Sequence, residues 1–344
     1  MANSETNGPV SSHRVTRLLT RSNVEQLIDM RDCIDAVERG FRAAGTGSAP
    51  SKALGLSARG GGFHVKAALL EDEPGGGRGY FVAKANANFP GNPVGHELPT
   101  IQGVVALFDA TTGVPLAIMD SIALTILRTA AATAVAARYL AAQGAGTVAI
   151  VGCGAQARAQ LAALCLVRSI GQAVAVDINL ATAEAFAQAA SAQLGIPVIA
   201  STDLLPATAR SDIIVTCTTS RRAFLGTRHV SPGAFIAAVG ADSEQKAEIE
   251  PALMGSSVVI TDSTAQCATI GDLHHAIAAR AMSLDDVRAE LGDVVANPTR
   301  GRRDPAEVVI FDNTGVAFQD VVTAALVYER AVREEIGFTV QFGA

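Results

Sequence analysis

One stretch constrains the fold of this 344-residue chain more than any other, TVAIVGCGAQA at 147–157. A β-branched, apolar run from Thr147 to Val151 stops at Gly152, Gly154 and Ala157 complete a G-x-G-x-x-A spacing, and the helical pattern QARAQLAALCLV follows. Each small residue in that setting has its own physical reason. Gly152 permits a tight turn, Gly154 lets backbone approach a pyrophosphate, and Ala157 allows a helix to pack closely on the strand while its N-terminus faces the phosphates. The next apolar run, AVAVD, ends at Asp177, about 20 residues beyond Ala157, which is the offset of an acidic residue that binds ribose hydroxyls. Ile178 and Asn179 come next, with no arginine placed to meet a 2′-phosphate, so the pattern predicts NAD (NADH) over NADP. The expected cofactor-binding set is Gly152, Gly154, Ala155, Gln156, Asp177 and Thr218.

From that strand onward the chain alternates strand and helix patterns, with candidate strands TVAIV, AVAVD, DIIVTC, AFIAAV, SVVIT and EVVIF. Six strands with helical crossovers make a doubly wound parallel sheet of the Rossmann type, placed at 126–315. The chain before it reads differently. Ser22 with Glu25 forms a capping-box pattern, and helical periodicity runs to Ala44 with Leu27, Ile28, Ile34, Val37 and Phe41 inward. From Gly55 to Leu116 short apolar or alternating runs, split by Gly, Pro and Asn, predict antiparallel strands and hairpins. The Ala-rich LTILRTAAATAVAARYLAAQG reads as a helix ending near Gly144. The last helix, VAFQDVVTAALVYERAV, follows the final strand and returns to the first domain, giving a smaller α+β domain at 15–125 plus 316–344. RGRRDPAE at 300–307 reads as a polar surface loop.

Hydrophobic content of 49% with 17% charged residues is ample for a buried core. The net charge of −6, without long runs of one sign, argues against nucleic acid or an anionic membrane surface as partner and leaves small-molecule chemistry. Cys33, Cys153, Cys165, Cys217 and Cys267 are odd in number, widely spaced and mostly inside apolar runs, as reduced core cysteines of a cytoplasmic protein are. No pair has zinc spacing, and His274-His275 is a lone doublet, so no metal is expected. The start, MANSETNGPVSSHRV, lacks an apolar segment of signal-peptide length and reads as a disordered leader.

Seven segments in order, GYFVAKANANFPGN, LPTIQGVVALFDATTGVPLAIMD, LTILRTAAATAVAARYLA, GCGAQA, VGADSEQKAEI, TDSTAQC and FDNTGVAFQD, resemble the ornithine cyclodeaminase/mu-crystallin family from about Ser22 to Val332. The resemblance implies that the first domain, completed by the C-terminal helix, builds the substrate wall and a homodimer interface, while the central domain holds the cofactor. It implies that Lys84 and Arg128 grip the substrate carboxylate, and chemistry agrees, since Arg offers a bidentate fork and Lys a point charge. Asp242, just after the strand AFIAAV, matches the family's catalytic acidic residue, as a proton donor or as a charge partner for an iminium.

Where ornithine cyclodeaminases carry an acidic residue and a methionine-proline step ahead of the lysine strand, this chain reads GGFHVKAALL. His64 and Lys66 suit an anion or a neutral group there in place of a second substrate amine. A branch that reduces iminosuccinate has lysine at about this place and a segment like IGDLHHAIA. Substrate binding is thus expected of His64, Lys66, Lys84 and Arg128, and catalysis of Asp242 with Lys84 and Arg128. The expected function is NAD(H)-dependent interconversion of a small α-amino acid with its 2-imino or 2-keto form, extending to a dicarboxylic imine such as iminosuccinate. The alternatives are a cyclodeaminase that recycles NAD on ornithine or lysine, and a mu-crystallin-like nucleotide-dependent binding protein.

Overall fold

A computed structural model describes residues 15–47, 50–71 and 78–341; the leader at 1–14 lies outside them. Contacts group the described chain into two units, 15–28 with 50–124 and 320–341, and 29–47 with 125–319.

The first unit is built on a seven-stranded sheet. Its strands are β1 (Thr16–Leu19), β2 (Ser51–Ala58), β3 (Gly61–Leu70), β4 (Tyr80–Asn88), β5 (Ile101–Asp109) and β6 (Pro115–Asp120), with a short strand Phe338–Val340 at the C-terminus. The order is Phe338–Val340, β1, β6, β5, β4, β3, β2. Only β1 and β6 run parallel. The expected hairpins are therefore present, and β1 is an addition. Its four residues are too few for a periodicity, and both its neighbours lie far away in sequence.

Alternation on β4 sets the two faces. Tyr80, Val82 and Lys84 are buried, whereas Phe81, Ala83 and Ala85 are half-buried or exposed. The helix Ala317–Arg333, from Asp320 onward, covers the inner face. There the Tyr80 hydroxyl donates to Glu329 at 2.8 Å and the Tyr80 and Tyr328 rings meet edge to face at 6.5 Å. The capping box at the start of the chain is Thr20 with Asn23, not Ser22 with Glu25, because β1 ends at Leu19 and its next residue caps helix Arg21–Leu27. Ile28 and Asp29 are extended, and Asp29 caps a second helix, Met30–Gly45.

That second helix packs within the second unit. Phe41 meets Phe318 and Phe311 edge to face at 5.0 and 6.5 Å, and Gly45 lies so close to Gly292 that a Cβ would sit 2.5 Å from the Gly292 carbonyl oxygen. The strands here are β7 (Thr147–Val151), β8 (Gln172–Val176), β9 (Val198–Ser201), β10 (Ile213–Thr216), β11 (Arg221–Leu225), β12 (Phe235–Ala238), β13 (Ala247–Ile249), β14 (Val258–Thr261), β15 (Ala289–Glu290) and β16 (Val309–Asp312). Eight of them form one sheet in the order β15-β14-β16-β12-β10-β7-β8-β9, parallel throughout. This is the doubly wound sheet expected from the sequence. The strands β7, β8, β10, β12, β14 and β16 are buried along most of their length, while β9 and β15 add short edges. β11 and β13 pair separately. Strand order reverses between β7 and β10, and ligands of such sheets bind outside the carboxyl ends at that point.

In the segment 300–307, Arg300 and 303–306 are exposed as a surface loop is, while Gly301 is buried. Arg302 is half-buried and donates to the carbonyls of Leu140 at 2.7 Å, Ala234 at 3.2 Å, Pro305 and Glu307, so it ties this loop to the amino-terminal end of the sheet. Burial lowers its pKa. All five cysteines are free thiols, and among the described residues no group of His, Cys, Asp and Glu is arranged to hold a metal ion. No helix of the described residues is long and apolar enough to cross a membrane.

Candidate active site

The cofactor-binding residues expected from the sequence lie in the second unit. Gly152 ends β7 at φ +94°, and a Cβ there would sit 2.8 Å from Thr218 Cγ2 and 2.9 Å from the Cys217 carbonyl. Only glycine fits this turn, which presses the loop after β7 against the loop after β10. Gly154 faces open space, as a backbone meant for close approach by a ligand must. Gln156 caps helix Ala157–Val167 with no side-chain hydrogen bond, so the first-turn N–H groups are left to another acceptor, and Ala155 beside it is exposed. The buried Gln156 Oε1 has no hydrogen-bond partner among the described residues. These features fit a dinucleotide pyrophosphate.

Asp177 follows β8. One carboxylate oxygen accepts from the Cys153 N–H at 2.9 Å and the other from the Asn179 N–H at 2.9 Å. The acidic residue expected at the ribose is thereby fastened to the glycine loop itself. Burial, with Asp177 close by, pushes the Cys153 thiol up to about 12, so it stays protonated. Ile178 is 101% exposed beside it.

Asp242 stands exposed in the loop after β12. Its N–H donates to the Gly240 carbonyl at 3.1 Å and its carboxylate accepts from Lys246 Nζ at 2.6 Å. The Lys246 carbonyl in turn lies 2.8 Å from His275 Nε2, which gives the HH doublet a backbone role. Arg128, on helix Ser121–Leu140, is buried. Its Nη1 donates to Gln319 Oε1 at 2.9 Å, and its guanidinium lies against Gly315, which has φ +77° and leaves no room for a Cβ.

In the first unit the pairing of β3 with β4 sets Lys66 directly opposite Lys84 and His64 opposite Asn86. Directly paired residues share a face, so all four belong to the inner face. Two lysines opposite one another repel, and a carboxylate offsets this: Lys84 Nζ donates to Asp320 Oδ1 at 2.7 Å, with side-chain exposures of 2% and 0%. Asn86 accepts from the Ser121 hydroxyl at 2.6 Å. The Asn86 side chain abuts Gly103 across the pair, another position without space for a Cβ.

Asp320, Lys246 and Glu248 are the residues sequence reasoning missed. A signal was present for two of them: Asp320 is the one charge in the apolar stretch 317–328 and Glu248 a single charge in a short apolar strand, and such charges are buried only when partnered.

A glycine-rich strand-turn-helix with an anchored aspartate in a doubly wound sheet, in a chain whose other unit is a mixed sheet carrying inward lysines, defines a dinucleotide-binding enzyme class. The sequence model of the ornithine cyclodeaminase/mu-crystallin family matches residues 14–335, and the chain belongs to that family. Alanine dehydrogenase of Archaeoglobus fulgidus is 34% identical over 329 residues, covering 95% of this chain and 98% of that protein. The structure of an archaeal alanine dehydrogenase dimer with bound NAD has a TM-score of 0.90 at 34% identity, over 95% of this chain and 99% of that one. Thermococcus litoralis Δ1-pyrroline-2-carboxylate reductase in complex with NADH and L-proline has a TM-score of 0.89 at 31% identity, over 94% and 100% of the two chains. The iminosuccinate reductase of Paracoccus denitrificans in complex with NAD+ has a TM-score of 0.86 at 31% identity, over 96% and 100%.

Proposed function

We propose that the protein is an NAD(H)-dependent oxidoreductase that interconverts a small 2-imino or 2-keto acid with the corresponding α-amino acid. The observation that carries this reading is the match over 95% of the chain to a dehydrogenase with NAD bound, at a TM-score of 0.90. The second unit holds the dinucleotide through Gly152, Gly154, Ala155, Gln156, Asp177 and Thr218. When bound, NADH supplies the hydride. Lys84 and Arg128 fix the substrate carboxylate, Arg128 as a fork and Lys84 as a point charge oriented by Asp320. Asp242 faces the substrate nitrogen and, as a carboxylate, stabilises the iminium form that accepts a hydride.

His64 and Lys66 line the same inner face as Lys84 and set the substrate side chain. A lysine placed directly opposite Lys84 on that face suits a substrate whose side chain is uncharged or acidic, dicarboxylic imines such as iminosuccinate included. An ornithine side chain would bring a second cation towards Lys66. The outer face of the same sheet carries Leu56, Phe63 and Val104 at 56%, 46% and 50% exposure, with Leu54 beside them. A patch of this kind is covered in an oligomer, and a homodimer through it is the proposed assembly. Free thiols at all five cysteines support a cytoplasmic setting.

The test follows nicotinamide absorbance with NADH, ammonium or methylamine, and a panel of keto acids, beside ammonia release from ornithine. Net NADH oxidation with a mono- or dicarboxylic keto acid supports the reading, and Lys66→Met should impair the dicarboxylic substrates selectively. Ammonia from ornithine without net NADH change would make the protein a cyclodeaminase, and nucleotide binding without turnover would make it a binding protein.

A further inference from the structure

Glu248 is the middle residue of β13 and is fully buried. A buried carboxylate is tolerated only when its oxygens are saturated by donors, and here they are. Oε1 accepts from the Thr218 N–H and the Thr218 hydroxyl, both at 2.7 Å. Oε2 accepts from the Thr216 hydroxyl at 2.7 Å and the Gly240 N–H at 2.8 Å. Burial raises its pKa against the pull of these donors. Thr216 is the last residue of β10, whereas the other donors come from two different loops: Thr218 belongs to the loop after β10, which meets Gly152 of the glycine turn, and Gly240 to the loop after β12, which carries Asp242.

The link to Asp242 is short. Glu248 holds the Gly240 N–H, and the Gly240 carbonyl receives the Asp242 N–H at 3.1 Å. The contact is close-packed as well, since a Cβ on Gly240 would run into the Glu248 carboxylate and lie 2.5 Å from the Thr218 carbonyl. Glu248 itself is fixed from elsewhere. β13 pairs with β11, and the N–H groups of Glu248 and Ile249 donate to Asp272 Oδ1 at 2.8 and 2.9 Å. Asp272 and Leu273 in turn donate their own N–H groups to the Asp312 carboxylate at the end of β16. Glu248 is therefore a post standing on the scaffold, and both loops hang from it.

We propose that Glu248 is a positioning residue that sets the Asp242 loop against the cofactor loop, so that the Asp242 carboxylate is presented correctly only while both loops are tied to the one buried carboxylate. The proposal rests on the role given to Asp242 above. Glu248→Gln is the informative change because the amide keeps the shape and loses acceptors. If its nitrogen takes the place of Oε2, the Gly240 N–H faces another donor; if it takes the place of Oε1, the Thr218 N–H does. The two threonine hydroxyls can turn to accept, whereas a backbone N–H cannot. One loop must let go in either case.

The experiment is a double-mutant cycle of Glu248→Gln with Asp242→Asn, reading kcat, the NADH dissociation constant and the melting temperature. Glu248→Gln alone should lower kcat by about 10²-fold, the scale of a misplacement near 1 Å. In the Asp242→Asn background it should lower kcat by less than about threefold more, because groups acting through one another are not additive. Losses that multiply, or a Glu248→Gln protein with the wild-type kcat, overturn the proposal. Wild-type turnover in Asp242→Asn alone would instead remove the role assigned to Asp242, and with it this coupling. If Glu248→Gln does not fold, Gly240→Ala presses on the same contact from the loop side. It is expected to give the same non-additivity with Asp242→Asn, and multiplying losses there overturn the proposal equally.

Discussion

The Lys84–Asp320 pair allows stability and activity to be separated. Both side chains are buried, at 2% and 0% exposure, and Nζ lies 2.7 Å from Oδ1. Asp320→Asn keeps an oxygen to accept from Nζ and removes only the compensating charge. Removing one charge of a buried pair costs about 3–5 kcal/mol, because that carboxylate no longer offsets the desolvation of the ammonium. At about 2–4 °C per kcal/mol, the range for domains of 150–250 residues, the melting temperature should fall by roughly 6–20 °C. Replacing both partners, as Lys84→Met with Asp320→Leu, should bring stability back to within about 1 kcal/mol of the wild type, since apolar groups of similar volume often replace a buried pair at no loss. That double variant should nevertheless be inactive on carboxylated substrates, having lost the cation. Calorimetry or urea unfolding gives the first quantity and NADH-linked turnover the second. An Asp320→Asn protein within about 1 kcal/mol of wild type would refute the argument that Lys84 depends on Asp320 for its burial; full activity in the double variant would refute the role of Lys84 at the substrate.

Two further expectations follow from the second unit. Burial, with Asp262 nearby, raises the Asp312 carboxyl to about 7, and burial beside Asp312 and Glu248 raises Asp272 well above the usual carboxylate range. The native state therefore keeps protons that the unfolded chain releases near pH 4, so this stabilisation is complete below about pH 4 and lost as pH rises through about 7; urea midpoints between pH 4 and 8 should fall, and Asp312→Asn should flatten the fall. At the ribose position, Asp177→Ser with Ile178→Arg should swing preference from NADH to NADPH, because the carboxylate that repels a 2′-phosphate goes and a guanidinium arrives to meet it; a wild type that already prefers NADPH in steady-state kinetics would defeat this.

What the sequence disclosed, and what it withheld, divides by the range of the interactions involved. The glycine turn was legible because its cause is local: φ at Gly152, the open face of Gly154 and the helix after it are all written within eleven residues. The six inner strands were legible because buried parallel strands read as unbroken apolar runs, whereas β9 and β15 lie at the edges of the sheet, β9 exposed or half-buried along its length and β15 only two residues long. Lys66 and Lys84 could be placed on neighbouring strands, but their facing each other depends on a register in which a slip of one residue would move Lys66 to the outer face. Asp320 and Glu248 lay beyond reach for a stronger reason. Asp320 meets Lys84 from 236 residues away, and Glu248 collects donors as far as 32 residues off. A lone acidic residue in an apolar run does state that some partner must exist, since burial of an unpaired carboxylate is prohibitive, but it does not say which. In this chain the partners proved to be a lysine of the inner sheet face in one unit and the loops of a dinucleotide fold in the other. Two acidic residues that drew no notice in the sequence are thus the ones that hold Lys84 and tie the loop of Asp242 to the loop after β10.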